Sequence, residues 1–144
     1  MTTLLAILIP LLPLVSGIIL GLFGRHLGEK SSKVGVSALA LAFMCSLWVL
    51  YAVSVGAPIR ILLPPFHSGT NEWLQFGLFI DRLSAVMMVL ITSVSTVIHV
   101  YSVRYLQGDA GYARFYALLS LMTFVILSLV SSPNLFMLFV FWQL

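Results

Sequence analysis

Leu83-Ser84-Ala85-Val86-Met87-Met88-Val89-Leu90-Ile91-Thr92-Ser93-Val94-Ser95-Thr96-Val97-Ile98-His99-Val100-Tyr101-Ser102-Val103 runs from Arg82 to Arg104 without a charged residue. A helix rises about 1.5 Å per residue, so such a stretch reaches across the roughly 30 Å of a bilayer's hydrocarbon. Three more charge-free stretches, residues 1–24, 34–59 and 115–144, are as long or longer. Hydrophobic residues make up 61% of the chain and charged residues 8%. A soluble domain carries about a quarter charged residues, so lipid is the natural solvent here. The expected fold is all-α and polytopic, a single transmembrane domain over residues 1–144.

Turn residues divide the apolar runs. Helix 1 is expected over 4–23, with Pro10 and Pro13 near its start, where neighbouring helices can satisfy the freed carbonyls. Gly17 and Gly21 stand four apart, a spacing that permits close helix contact or is ordinary membrane-helix composition. A polar loop over 25–33 leads to helix 2 over 34–55. The connection over 56–78 is expected outside the membrane. Its turn residues separate two short strands, at 59–63 and 73–76. Trp73 there suits a membrane–water interface. Helix 3 is expected over 79–105 and helix 4 over 112–130. A fifth helix starts near Pro133 and is cut off at Leu144, which makes the chain read as a fragment or one piece of a split gene.

The charges fix an expected orientation. Arg25, Lys30, Lys33, Arg104 and Arg114 fall at the 1–2 and 3–4 loops, whereas Arg60 and Arg82 fall at the 2–3 connection. Loops rich in Lys and Arg stay in the cytoplasm, which places the N-terminus outside. These bases sit at helix ends, so the net charge of +3 points to topology and not to nucleic acid. The first stretch is too long for a signal-peptide core and lacks a basic leader, so it reads as a retained helix. Cys45 is alone, which excludes a disulfide framework. No phosphate loop, nucleophile set or Cys/His metal spacing occurs, so no catalytic site is expected in this chain. His26 and His67 are loop residues without ligand partners nearby.

Helix 3 carries the chemistry. At 100° per residue Asp81, Ser84, Met88, Thr92, Ser95, His99 and Ser102 fall within an arc of about 80°. A polar stripe with an ionisable group must face protein or water, which leaves Val89, Ser93 and Val100 toward lipid. His99, Ser95, Thr92 and Ser102 are therefore candidate proton-path residues, because histidine titrates near neutral pH. Helix packing explains the same residues through local hydrogen bonds. Asp81 and Arg82 mark the outer end of helix 3, where Asp81 is placed to cap it. Arg104, Asp109 and Arg114 bracket the inner turn, as topology anchors with one surface ion pair.

Phe79-Ile80-Asp81-Arg82-Leu83-Ser84-Ala85, then His99-Val100-Tyr101-Ser102, Gln107-Gly108-Asp109 and Tyr112-Ala113-Arg114-Phe115-Tyr116-Ala117 form an ordered set. This set resembles the N-terminal part of chain 5 (subunit L) of proton-pumping NADH-quinone oxidoreductase. Ile9-Pro10-Leu11-Leu12-Pro13 and the ending Phe141-Trp142-Gln143-Leu144 are similar to the same family. Subunits of multi-subunit cation/proton antiporters and of inorganic-carbon uptake complexes share the pattern.

The resemblance implies a membrane subunit that contributes to proton conduction or its scaffold. Its partners are other membrane subunits and the lipid bilayer, in a bacterial inner (cytoplasmic) membrane. NADH, flavin, iron–sulfur clusters and quinone belong to partner subunits, and this chain holds no cofactor. The alternatives are an inorganic-carbon uptake or antiporter subunit, or a structural membrane piece without transport. Two departures bear on this. The family has a carboxylate after the tryptophan, whereas Gln143 stands here and cannot ionise, which makes it a marked position in the expected path. Arg82 replaces a proline common at that place, which is expected to alter the start of helix 3.

Overall fold

A computed structural model describes residues 2–28, 30–62, 77–109 and 111–144. Helices α1 (Thr2–Leu27), α2 (Lys30–Val55), α3 (Arg82–Tyr105) and α4 (Tyr112–Val130) are each long and apolar enough to cross a membrane. A shorter α5 spans Leu135–Gln143, and strands β1 (Ile59–Leu62) and β2 (Gly77–Ile80) form an antiparallel pair. The all-α membrane architecture expected from the charge-free stretches is the one observed.

Several boundaries differ from expectation for identifiable reasons. α1 is longer at both ends, and the polar loop placed at 25–33 shrinks to the turn after Leu27. Gly28 makes that turn, with φ of 51° and its N–H donating to Gly24 O at 3.2 Å. A left-handed residue just past a helix is easiest for glycine. Pro10 and Pro13 therefore lie inside α1. Phe79 and Ile80, expected in helix 3, belong instead to β2, where Ile59 pairs with Ile80 and Arg60 with Phe79. The strand expected at 73–76, with Trp73, His67 and Glu72, lies outside the described residues. Asp81 then caps α3, and Arg82 is an exposed first-turn residue.

The α1–α4 seam explains which glycines matter. A Cβ on Gly17 would stand 2.8 Å from Leu121 Cγ, and one on Gly24 2.7 Å from Ala113 Cβ. Close backbone approach is how membrane helices gain dispersion contact without a hydrophobic driving force. Gly21 does not take part, because a Cβ there would meet nothing within 4 Å. The close pair is thus Gly17 and Gly24, two helical turns apart, and not Gly17 and Gly21.

Two apolar clusters fill the bundle. One holds Ala6, Ile9, Val49, Val53, Ile80, Ala85, Met88 and Leu127, and the other Leu20, Tyr112, Tyr116 and Ala117. Along each of the four long helices the residues between these clusters include buried polar ones: Ser16 on α1, Ser46 on α2, Thr92, Ser95 and His99 on α3, Ser120 and Thr123 on α4. The core is therefore apolar, then polar, then apolar along the bundle axis.

Candidate functional site

The polar layer is built on the inward face of α3. Thr92, Ser95, His99 and Ser102 are all buried, as the 100° spacing predicts, together with Ala85 and Met88. The outward face centres on Val86, Leu90, Val97 and Val100. Val89 and Ser93, expected there, are half-buried. Both α2 and α4 pack on α3, so its protein-facing arc is wider than the polar stripe alone.

His99 is fully buried and held on both sides of its ring. Nδ1 lies 2.8 Å from the Ser95 carbonyl and Nε2 lies 3.3 Å from Ser120 Oγ. A carbonyl can only accept, so in the neutral ring Nδ1 carries the hydrogen and Nε2 accepts from the Ser120 hydroxyl. Tyr116 closes one flank, with its ring centroid 5.4 Å from the imidazole and its hydroxyl donating to the His99 carbonyl at 2.9 Å. Gly35 of α2 closes another, since a Cβ there would come within 3.1 Å of His99 Cδ2.

Hydrogen counting orders the rest of the layer. Each hydroxyl has one hydrogen to give. Thr123 gives its own to Leu119 O at 2.8 Å, so Ser95 Oγ donates across the 2.6 Å contact with Thr123 Oγ1. Ser46 and Thr92 meet at 3.0 Å, while each also reaches a carbonyl of its own helix. One of the two must turn away from its carbonyl for that contact to be bonded. These groups do not form one continuous wire, because His99 Nδ1 meets a carbonyl that has no proton to pass on. Among the described residues, the contact in this layer that joins the imidazole to an exchangeable hydroxyl is His99–Ser120. Among the described residues Ser16 Oγ and Ser31 Oγ are buried and meet no hydrogen-bond partner, which costs free energy unless something polar reaches them.

The remaining expected residues lie elsewhere. Ser102 faces inward, but no side-chain bond joins it to the layer among the described residues. Gln143 sits exposed at the end of α5 and is not among His99's partners. Asp81 Oδ1 accepts the Ser84 N–H at 2.7 Å, which holds its carboxyl below the usual carboxylate range. Ser84 Oγ donates to Val130 O at 3.1 Å, and Phe79 N to Ser131 O at 2.9 Å, so the start of α3 and β2 are laced to the end of α4. Arg82, Arg104 and Arg114 are exposed. The surface ion pair expected at the inner turn does not occur among the described residues. Asp109 Oδ1 instead accepts the Gly111 N–H at 2.8 Å, a short-range turn bond.

Sequence reasoning missed Ser46, Tyr116, Ser120, Thr123 and Gly35. The α4 members were readable, since Tyr116, Ser120 and Thr123 recur at helical spacing.

Residues 68–116 match the family described as NADH-Ubiquinone oxidoreductase (complex I), chain 5 N-terminus. That match contains His99, Tyr116 and the α3–α4 turn. Over 96% of the chain it is 40% identical to an NADH-quinone oxidoreductase subunit L of Rickettsia typhi, and covers 22% of that protein. The chain is similar to the chain 5 (subunit L) family over most of its own length. A subunit L of Rickettsia bellii is 39% identical over 96% of the chain, with 22% of that protein covered. A probable inorganic carbon transporter subunit of Halothiobacillus neapolitanus is 35% identical over 95% of the chain, with 23% of that protein covered. The chain spans about a fifth of the length of the relatives it matches.

Proposed function

We propose that this chain serves as the N-terminal part of a proton-translocating membrane subunit in an NADH-quinone oxidoreductase-type complex. The observation that carries the reading is the buried His99 imidazole facing the Ser120 hydroxyl. Nε2 can accept a proton that reaches the ring through the Ser120 hydroxyl, Ser120 taking a replacement from a donor on its far side so that it stays neutral, while the Nδ1–H bond to Ser95 fixes the ring. In this reading Ser95 and Thr92 hold the relay's packing, and the redox cofactors belong to other subunits. The higher identity to the Rickettsia proteins supports a bacterial cytoplasmic membrane. The basic 1–2 and 3–4 loops support an N-terminus outside. Single cysteines at Gln107 and Ala57, both exposed, test this with Cys45 replaced. Labelling of Gln107→Cys from outside would reverse the orientation.

The function is tested in inverted membrane vesicles of the host, with NADH oxidation and dye-reported proton uptake recorded together. His99→Leu should lower proton uptake per NADH oxidised, whereas Asp109→Asn should not. Unchanged uptake in His99→Leu would overturn the relay. A second reading, an inorganic-carbon uptake subunit, is favoured by the Halothiobacillus relative and by Gln143 in place of a carboxylate. Loss of bicarbonate accumulation without change in NADH-driven uptake would move the chain to that reading.

A further inference from the structure

Ser31 is fully buried in the first turn of α2, and its Oγ meets no hydrogen-bond partner among the described residues. Its N–H donates to Gly28 O at 3.2 Å, so the backbone donor is satisfied while the side chain is not. A buried hydroxyl in that state is costly, and an internal water is the common way to satisfy it. The helix register shows what stands beside it. A Cβ at Gly35 would lie 3.1 Å from His99 Cδ2 and 3.0 Å from Tyr116 Cδ1, and the two rings are 5.4 Å apart. Gly35, His99 and Tyr116 therefore meet at one level of the bundle. Lys30, Lys33, Arg104 and Arg114 are exposed at one end of it. One helical turn nearer that end come Ser31 on α2, Ser102 on α3 and Tyr112 on α4. Steps of three or four residues keep side chains on one helix face, so these three line the level next to His99.

All three are buried, and each carries a hydroxyl. Tyr112 reaches the Val103 carbonyl only at 3.5 Å, against about 2.7–2.8 Å for an ordinary hydroxyl bond, so its hydrogen is open to a closer acceptor. Among the described residues no Lys, Arg, Asp or Glu is buried, so an ion at this level would have no counter-charge. A neutral water needs only donors and acceptors, and buried waters typically make about three hydrogen bonds. We propose that Ser31, Ser102 and Tyr112 bind an internal water one turn from His99. Its use rests on the relay reading: the water stands between the basic end and the His99–Ser120 pair. It gives one hydrogen inward and takes one from the basic end, so it stays neutral.

The test is hydroxyl-radical footprinting of the host membranes, with radicals made from water by X-rays and oxidation of this chain read by mass spectrometry. Radicals born at a bound water attack the ring beside it, so Tyr112 should be oxidised although buried. Ser31→Val and Ser31→Thr have the same shape and differ by a methyl group in place of a hydroxyl. Ser31→Thr should keep the oxidation of Tyr112, whereas Ser31→Val should lower it several-fold. Tyr101 and Tyr105, which are exposed, report bulk solvent and should not change. Because the two variants carry the same bulk, a loss confined to Ser31→Val is a loss of the hydroxyl and not of the fold. Equal oxidation of Tyr112 in both would overturn the water site, whatever the transport result. The transport role is read apart from this, as proton uptake per NADH oxidised in inverted vesicles. Uptake should fall in Ser31→Val and hold in Ser31→Thr. A fall in His99→Leu with none in Ser31→Val would remove the water from the path. Unchanged uptake in both would overturn the relay reading, and the oxidation of Tyr112 would still decide the water site.

Discussion

Gly35 of α2 leaves the space that the imidazole of His99 on α3 occupies. A Cβ at Gly35 would stand 3.1 Å from His99 Cδ2 and 3.0 Å from Tyr116 Cδ1. Both are ring atoms, and both rings are tied by hydrogen bonds, His99 to Ser95 and Ser120, Tyr116 to the His99 carbonyl. Neither can swing away cheaply. Gly35→Ala is therefore expected to destabilise the bundle by about 1–3 kcal/mol, as overpacking does. It should also lengthen the His99–Ser120 contact. Unfolding in mixed detergent checks the first point. A variant as stable as the parent would mean that His99 is looser than its contacts indicate.

Gly21 and Gly24 should respond to alanine with opposite signs. Gly24 faces Ala113, whose Cβ would be 2.7 Å from the new one and has no flexible end to move. The helices must part, at a cost of about 1–3 kcal/mol. At Gly21 nothing opposes the methyl group, and alanine removes a glycine from a helix interior, worth about 0.5–1 kcal/mol of gain. The same unfolding measurement on both variants separates them. Equal losses at the two positions would place α1 in a different rotation against α4.

The four spans were legible because charge-free length alone marks them, and the α3 stripe because its period is local to one helix. What was not legible depends on partners distant in sequence. Phe79 and Ile80 continue the apolar run of α3, so only their pairing with Arg60 and Ile59 shows them to be strand. Ser120 and Ser46 become site residues only once α4 and α2 are known to flank α3. Gly21 and Gly24 look alike in sequence, and the rotation of α1 against α4 decides which one is squeezed. The bases near Asp109 in sequence suggest an ion pair, but its Oδ1 accepts the Gly111 N–H two residues away in a turn.

Asp81 should make the start of α3 sensitive to acid. The Ser84 N–H bonded to its carboxylate holds the pKa below the usual 3.8. A carboxyl held low in the folded state stabilises that state when ionised. The stabilisation is complete above the unfolded-state value and is lost as pH falls through the lower folded value. Asp81→Ala should cost about 0.5–2 kcal/mol at neutral pH, the range for losing an N-cap. Asp81→Asn should keep much of the cap and show a flatter acid limb. Stability followed from pH 7 down to pH 2 checks both, and an acid limb unchanged in Asp81→Asn would assign it to other groups.

The neutral His99 ring should carry its hydrogen on Nδ1. Two tautomers are open to a neutral imidazole, and its neighbours choose between them. Ser95 O, 2.8 Å from Nδ1, has lone pairs only. If Nδ1 were bare, two acceptors would face each other in a site with no exposure to solvent, and the carbonyl would lose this partner. Ser120 is a hydroxyl, which can give or accept, so it adapts to whatever Nε2 requires. The rigid partner therefore sets the tautomer and the adaptable one follows. Solid-state nitrogen spectra of the ring-labelled chain in bilayers should show a protonated Nδ1 and a bare Nε2. Ser120→Ala should keep that tautomer while shifting the Nε2 resonance, because the donor is lost and Ser95 is untouched. Ser95 offers its backbone carbonyl, so Ser95→Ala should leave the tautomer in place as well. A protonated Nε2 in the parent chain would show that Ser120, and not the Ser95 carbonyl, governs the ring, and the basic nitrogen would then point away from α4.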